Sequence, residues 1–194
     1  MSIAAPPLAP SSSRTALSDR PVVLGEPLAP DVFKAVMNRW CSGVTVISGR
    51  DGDRIHGMVA SSFTSVSLDP ITVLFCANHS TRTHGVVKAA GAFAVNILAE
   101  DQLETFRVFA GQAGSPEDRF AGEQVTTAIT GAPILTRSLA WLDCLLIAEY
   151  PGGNTHSIFL GEVLAAGVDG SAAAARPPLT YFDRRAHRLG LPTG

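Results

Sequence analysis

The sequence predicts a mainly β domain: a β-barrel with a few peripheral helices. Two long apolar segments, 139–150 and 155–168, flank the turn cluster Pro151-Gly152-Gly153-Asn154 and predict an antiparallel hairpin. A second hairpin is predicted where a β-branched run is followed by Asp51-Gly52 and by another strand at 54–60. The predicted helices do not alternate regularly with strands, as a doubly wound parallel sheet would require.

The remaining elements follow from periodicity and from turn residues. Residues 31–41 place apolar side chains at helical spacing, with Asp31 as a candidate N-cap and Gly43 as a stop signal. Residues 61–68 alternate as a strand does, so that every second side chain shares a face. The other predicted elements are a strand at 44–48, a strand at 71–76, a helix at 81–88 ending before Gly91, a strand at 92–98 and a helix at 101–110.

Composition and charge exclude several classes of protein. Of the 194 residues, 46% are hydrophobic and 16% are charged, which is enough apolar material for one substantial core and excludes disorder throughout. The 15 basic and 17 acidic residues give a formal charge of −2, so we expect no nucleic-acid partner. The longest apolar stretches fall short of the ~20 residues of a membrane span, and we expect no membrane binding.

Three segments are expected along the chain: a flexible N-terminal tail at 1–30, a single domain at 31–189 and a short C-terminal tail at 190–194. The N-terminal tail contains six prolines and a run of serines. It has no basic region that leads into an apolar one, so it does not resemble a secretory signal.

The cysteines indicate a reducing compartment. Cys41, Cys76 and Cys144 are odd in number, far apart and surrounded by apolar residues, which favours buried free thiols and a cytoplasmic location, although a bond between two of them stays open. Cys76 also forms a string with His79 and His84 that has metal-ligand spacing. A fourth ligand is not evident, so we expect a core cysteine with surface histidines and no metal site.

Common catalytic motifs do not occur in the sequence. It contains no G-x-G-x-x-G, G-x-S-x-G or H-E-x-x-H, and Met58 stands where a P-loop beginning at Gly52 would need lysine. Rossmann dinucleotide binding, P-loop phosphoryl transfer and the familiar hydrolase and zinc-protease mechanisms are therefore not supported.

Two local features are compatible with ligand binding. Residues 58–65 concentrate small and hydroxyl side chains around Phe63, as expected where backbone lies against a flat, polar-edged ligand, but an ordinary edge strand has the same composition. Residues 78–83 follow a strand and open a helix, so hydroxyls, backbone amides and Arg82 could hold a phosphate. A capped helix with a solvated arginine fits that segment equally well.

Six ordered sequence blocks resemble the short-chain flavin reductase family. The resemblance extends from about residue 31 to residue 189. The blocks are Cys41-Ser-Gly-Val-Thr-Val-Ile47, residues 56–70 beginning His56-Gly-Met-Val-Ala-Ser-Ser-Phe63, Val95-Asn-Ile-Leu-Ala-Glu-Asp-Gln102, Ala140-Trp-Leu-Asp-Cys144, His156-Ser-Ile-Phe-Leu-Gly-Glu-Val163 and Pro178-Leu-Thr-Tyr-Phe182. The resemblance implies an FMN-binding split β-barrel of antiparallel Greek-key type, usually a homodimer. It also implies that NADH or NADPH reduces FMN or FAD, which then serves a separate flavin-dependent monooxygenase or halogenase.

The resemblance also implies roles for individual positions. The strand at 58–63 would line the isoalloxazine ring, with the hydroxyls of Ser61 and Ser62 at its pyrimidine edge. His156 matches a histidine near the nicotinamide, and we assign it as the catalytic residue, orienting that ring without acting as an obligatory base; Tyr181 is expected in the same area. The full cofactor-binding set is Thr45, Met58, Val59, Ala60, Ser61, Ser62, Phe63, Cys76, Ala77, Asn78, Ser80, Arg82, Thr83, Asn96, Ile97, Leu98, Ala99, His156 and Tyr181, of which Ser80, Arg82 and Thr83 would approach the flavin phosphate.

Some positions depart from the family pattern, and two other functions stay open. Val59 stands where threonine is common, which removes one hydroxyl near the flavin, and residues 183–188 lack the glycine and second aromatic of many relatives. One alternative is a split-barrel module that holds flavin or haem as an electron carrier without turnover, against which His156 and Tyr181 argue. The other is a pyridoxamine-phosphate-oxidase-like enzyme, which should have a more basic phosphate site than residues 80–83 provide.

Overall fold

The computed structural model describes residues 27–115, 117–170 and 176–189. Most of the expected N-terminal tail and all of the expected C-terminal tail lie outside these residues. The described elements are α1 (Pro30–Met37), β1 (Ser42–Gly43), β2 (Thr45–Asp51), β3 (Arg54–Ala60), β4 (Thr64–Leu68), β5 (Ile71–Asn78), α2 (Arg82–Ala90), β6 (Ala92–Ile97), α3 (Leu103–Phe109), β7 (Val125–Thr126), β8 (Ile134–Leu135), β9 (Ala140–Pro151), β10 (His156–Val168), β11 (Leu179–Phe182) and β12 (Arg185–Arg188).

Seven strands form one antiparallel sheet in the order β3-β2-β6-β9-β10-β5-β4. The consecutive strands β3 and β4 lie at opposite edges, so the sheet curls until the chain leaving β3 reaches β5. There the Ser62 hydroxyl donates to the Cys76 carbonyl at 3.2 Å and accepts from the Cys76 N–H at 3.0 Å. The mainly β, antiparallel prediction is confirmed, and the barrel is open along this seam.

Both predicted hairpins are confirmed. β2 and β3 pair from Thr45 with Ala60 to Asp51 with Arg54, and the turn residue Gly52 has a φ of +59°, the left-handed conformation that glycine tolerates best. β9 and β10 form the longest ladder, with register shifts near Gly161 and Ala165 that bend the strands.

Two apolar layers hold the sheet. The barrel interior contains Ile47, Met58, Ala60, Val73, Phe75, Ala77, Val87, Phe93, Val95, Cys144 and Phe159. A second layer covers the outside of β2 and β3 with side chains from α3 and β11 and contains Val44, Val46, Leu98, Phe106, Phe109, Phe120, Leu135 and Leu179. Because Val87 belongs to α2, that helix packs into the barrel interior, which fixes the position of its N-terminal loop.

The termini of α2 match the prediction closely. Thr81 is the N-cap and its hydroxyl accepts from the His84 N–H at 3.3 Å, while Gly91 is the C-cap with a φ of +65°. The first helix was predicted less well. Asp31 is not its N-cap, because α1 begins at Pro30 with Ala29 as the cap, and proline suits the first helical turn.

Some side chains lie elsewhere than the sequence predicts. A bulge between Ser65 and Ser67 interrupts the alternation predicted for β4. The three cysteines carry free thiols, but Cys41 is exposed, contrary to the expected burial, whereas Cys144 is fully buried. Burial and the neighbouring Asp143 raise the pKa of the Cys144 thiol to about 12, so this thiol stays protonated and inert. No helix among the described residues is long and apolar enough to cross a membrane.

Candidate functional site

The open seam of the barrel borders a cavity of about 530 Å³, which we call the seam cavity. Ser61 and Ser62 line it from the linker after β3, and Tyr181 lines it from β11. Ser42 of β1 pairs directly with Tyr181, which holds the tyrosine next to the seam. The remaining lining residues are Phe33, Lys34, Met37, Asn38, Trp40 and Arg184, most of them from α1 and the turn after it. Three residues of the predicted cofactor set therefore share one cavity.

A second group of predicted residues shares the outer face of β5 and β10. His156 is paired with Asn78, and Ile158 is paired with Cys76. Phe75 and Phe159 are the intervening pair and stack inside the barrel with ring centroids 5.1 Å apart, so the alternating residues face outward. Because Ser62 is hydrogen-bonded to the Cys76 backbone, this face adjoins the seam cavity.

The loop between β5 and α2 is ordered by its own hydrogen bonds. The Asn78 side-chain oxygen accepts from the Ser80 N–H at 2.9 Å and from the Ser80 hydroxyl at 2.8 Å. The Thr81 hydroxyl donates to the Asn78 carbonyl at 2.8 Å. Ser80 and Arg82 are exposed, whereas Thr83 is buried and its hydroxyl lies 3.2 Å from His56 Nδ1. Of the three predicted phosphate contacts, Ser80 and Arg82 thus face solvent and Thr83 faces β3.

Several other predicted residues have buried side chains. Met58, Ala60 and Ala77 point into the barrel, Leu98 and Ala99 are fully buried, Val59 packs in the outer layer, and Phe63 and Ile97 are half-buried. The Thr45 hydroxyl donates to the Ala60 carbonyl at 2.8 Å. At the buried positions only backbone groups remain for a ligand, which agrees with the expectation that the 58–63 segment presents its backbone.

The side chain of Asn96 is buried and hydrogen-bonded within the protein. Its side chain is 0% exposed. Its amide donates to the Val46 carbonyl and to the Ser48 hydroxyl, at 3.1 and 3.0 Å, and accepts from the Leu135 N–H at 2.8 Å. Every side-chain polar atom of Asn96 is engaged inside the protein, so we assign it a structural role and omit its side chain from the proposed contacts.

A polar network that the sequence did not reveal lies behind His156. Ser157 faces inward, donates to Glu149 at 2.7 Å and lies 2.9 Å from His84 Nε2. Lys88 forms an ion pair with the same carboxylate at 2.8 Å. Hydrogen bonds from Lys88 and Ser157 lower the pKa of Glu149, while burial lowers the pKa of His84 against the opposing pull of Glu149. The network connects α2 to the end of the hairpin that carries His156.

His56 is a further residue that sequence reasoning missed, although it begins one of the family blocks. It lines a cavity of about 740 Å³, the α2 cavity, together with Asp53, Arg54, Ile55, Arg82, Gly85, Val86, Glu117 and Asp118. Burial, assisted by the positive charges of Arg119 and Arg82, lowers the pKa of His56. The described residues include no group of three or more His, Cys, Asp or Glu side chains arranged to hold a metal ion.

The fold and the grouped residues define a small antiparallel β-barrel protein with a cavity at an open seam. Comparison with known proteins gives the family. Residues 37–190 match the model of the flavin reductase like domain, and the chain belongs to that family. The resemblance seen in the sequence blocks is therefore confirmed.

Named relatives agree with this assignment. The chain is 38% identical over 141 residues to the reductase subunit HsaB of a flavin-dependent monooxygenase from Rhodococcus jostii, covering 73% of this chain and 70% of the relative. It is 37% identical over 165 residues to the reductase component of 4-hydroxyphenylacetate 3-monooxygenase from Thermus thermophilus, covering 84% and 99%. The solved structure of the NADH:FAD oxidoreductase SgcE6 from Streptomyces globisporus matches with a TM-score of 0.75 and 32% identity, covering 88% and 99%.

Proposed function

We propose that this protein is an NAD(P)H-dependent flavin reductase that reduces FMN or FAD and supplies the reduced flavin to a separate monooxygenase or halogenase. The observation that carries the proposal is the convergence of Ser61, Ser62 and Tyr181 on the seam cavity, next to the outward-facing His156. Residues separated by about a hundred positions in the sequence meet at one groove, as a binding site for two planar rings requires. Family membership and the named relatives support the same activity.

The residues of the groove fit a flavin. Small side chains at 59–62 leave the backbone accessible along the flat part of the ligand, and the Ser61 hydroxyl suits its polar edge. The Ser62 hydroxyl donates its hydrogen to Cys76 and could therefore only accept a further hydrogen bond there. The Ser62 hydroxyl also fixes the seam through Cys76, so the groove keeps its shape before a ligand enters. Ser80 and Arg82 are the exposed groups that would meet the flavin phosphate.

The protein has little acid–base work to do in this reaction. The flavin and nicotinamide, when bound, would themselves supply the hydride-transfer chemistry. The groove must hold the two rings in contact and exclude water. Thr155 Oγ1 lies 2.8 Å from His156 Nδ1, which orients the imidazole, so Nε2 is the nitrogen that would meet the nicotinamide amide. His156 acts in this proposal as an orienting residue.

We also propose that the protein is a cytoplasmic homodimer. The outer face of β9 and β10 exposes Leu145, Ile147, Tyr150 and Leu164, and each residue of α1 is exposed despite its apolar content. A second copy would bury these side chains and cover the groove. A sedimentation mass near twice 20.3 kDa is expected, and a mass near 20.3 kDa at working concentration would contradict the dimer. The free thiols support a reducing compartment.

The activity is tested by mixing the purified full-length protein with NADH or NADPH and excess FMN or FAD and following nicotinamide absorbance. Steady turnover with at least one combination is expected. A single stoichiometric reduction without turnover would instead identify an electron carrier, and no oxidation with any of the four combinations would overturn the reductase assignment. The same assay determines coenzyme preference.

A further inference from the structure

The α2 cavity differs in chemistry from the seam cavity. β3 and α2 contribute His56 and Arg82, whereas the β2–β3 turn and residues 117–118 contribute Asp53, Glu117 and Asp118. One cavity therefore offers cationic groups that suit a phosphate and carboxylates that suit hydroxyl and amino donors. A nucleotide has this combination of groups, with an anionic phosphate joined to a ribose and an amino-bearing base.

An unsatisfied imidazole nitrogen supports ligand binding at this cavity. His56 lines the cavity, and its Nδ1 lies 3.2 Å from the Thr83 hydroxyl. Its Nε2 is buried and has no hydrogen-bond partner among the described residues. Buried polar atoms are nearly always paired, because leaving one unpaired costs about 1–3 kcal/mol. Because this nitrogen is closed to solvent in the structure, a ligand oxygen would supply the missing partner only after a shift of the imidazole or of a neighbouring side chain.

The half-buried Arg119, next to β3, adds positive charge near His56. Arg119 donates to the Gly57 carbonyl at 3.1 Å and to the Phe109 carbonyl at 2.8 Å, which holds its guanidinium beside β3. Its positive charge and that of Arg82 act on His56, so an incoming anion would be attracted by both. The volume of about 740 Å³ lies within the ~300–1,000 Å³ typical of small-molecule sites and is far larger than one phosphate needs.

We propose that the α2 cavity binds the adenylate half of FAD and makes FAD the preferred flavin over FMN. This inference rests on the proposed reductase function, in which Arg82 meets the flavin phosphate at the start of α2. Arg82 also lines the α2 cavity, so the part of FAD that continues beyond that phosphate would enter the cavity. His56 and Arg82 would meet the second phosphate, and the carboxylates would accept hydrogen bonds from ribose or adenine.

Gly85 provides a way to block the cavity without disturbing the fold. It lines the cavity on α2, and a Cβ added there would meet nothing within 4 Å. Gly85→Phe places a bulky ring in the cavity, and Gly85→Ala is the matched control, since replacing a helical glycine favours the helix. Melting temperatures at or above that of the wild type will show that both variants fold.

The test is equilibrium binding by calorimetry with FAD, FMN and AMP as separate probes. We expect the wild type and Gly85→Ala to bind FAD at least about tenfold more tightly than FMN and to bind AMP measurably. In Gly85→Phe the preference for FAD should disappear and AMP binding should be lost, while FMN affinity stays within about twofold.

Equal loss or equal retention of FAD and FMN affinity in Gly85→Phe would overturn the proposal. A rise in the KM for NADH with both flavins, without a change in FAD affinity, would also overturn it, because the cavity would then serve the nicotinamide dinucleotide. Both results leave FMN reduction by the wild type intact, so they are distinct from a failure of the reductase function, which would appear as no turnover with any flavin.

Discussion

The two faces of the β5–β10 ladder differ in what their side chains do. On the inner face, Phe75, Phe159 and Ser157 are buried, and the polar Ser157 is hydrogen-bonded to Glu149. On the outer face, His156 and Cys76 are only half-buried, and the Cys76 backbone is hydrogen-bonded to Ser62 of the seam cavity. We therefore expect the inner residues of these two strands to serve stability and the outer residues to serve ligand binding. Inner substitutions should change the free energy of unfolding, and outer substitutions should change binding and turnover.

The largest effect is expected from Gly161→Val on the inner face of β10. An added Cβ at Gly161 would overlap the Phe93 ring and lie 3.1 Å from the Cys144 Cβ. Because the barrel interior has no room for the new methyl groups, unfolding should require at least ~3 kcal/mol less free energy, measured by urea denaturation. Gly122→Ala is the control, since a Cβ there meets nothing within 4 Å. Equal stability of the two variants would contradict the packing described here.

Asn96→Ala should have the next largest effect. The change removes three hydrogen bonds and leaves the Leu135 N–H without its partner, for a loss of about 2–3 kcal/mol in unfolding free energy. The KM for flavin of the folded enzyme should stay at the wild-type value. A higher flavin KM at unchanged stability would restore the original expectation that Asn96 contacts the cofactor.

The sequence predicted those parts of the fold that depend on neighbouring residues. Thr81 and Gly91 end α2 through local caps, and the 151–154 turn defines the long hairpin, so composition and spacing were sufficient. The family resemblance added the grouping of distant site residues, which no local pattern contains. The hydrogen bonds of Asn96 and His56 could not be predicted, because their partners come from elements distant in sequence.

Two neighbouring residues of β10 test whether the outer face serves binding and the inner face serves stability. His156→Ala should raise the KM for NADH or lower the flavin reduction rate by about tenfold, or ~1.4 kcal/mol, while the melting temperature stays unchanged. Ser157→Ala should lower the melting temperature and leave both kinetic constants unchanged, because its hydroxyl binds Glu149 inside the barrel. If His156→Ala altered neither constant, the orienting role would be wrong.

The smallest expected effect is the pH dependence of stability that the polar network of His84, Lys88, Glu149 and Ser157 produces. Burial lowers the pKa of His84 below its usual 6.5, so the unfolded chain takes up a proton more readily than the folded one. Stability should therefore fall as the pH decreases through 6.5 toward the lower folded-state value. The pKa of Glu149 is lowered from 4.5 by Lys88 and Ser157, so its contribution should be lost only below pH 4.5.

Melting temperatures between pH 7.5 and about pH 2.5 will separate these two steps, because the Glu149 step lies below pH 4.5. His84→Gln should reduce the upper step and leave the dependence expected from His56, whose pKa is also lowered by burial. Glu149→Gln should remove the lower step. If the wild type instead became more stable between pH 6.5 and pH 5, the attraction of Glu149 for a protonated His84 would outweigh the cost of burying that charge, and the network would be an ion pair in the folded state.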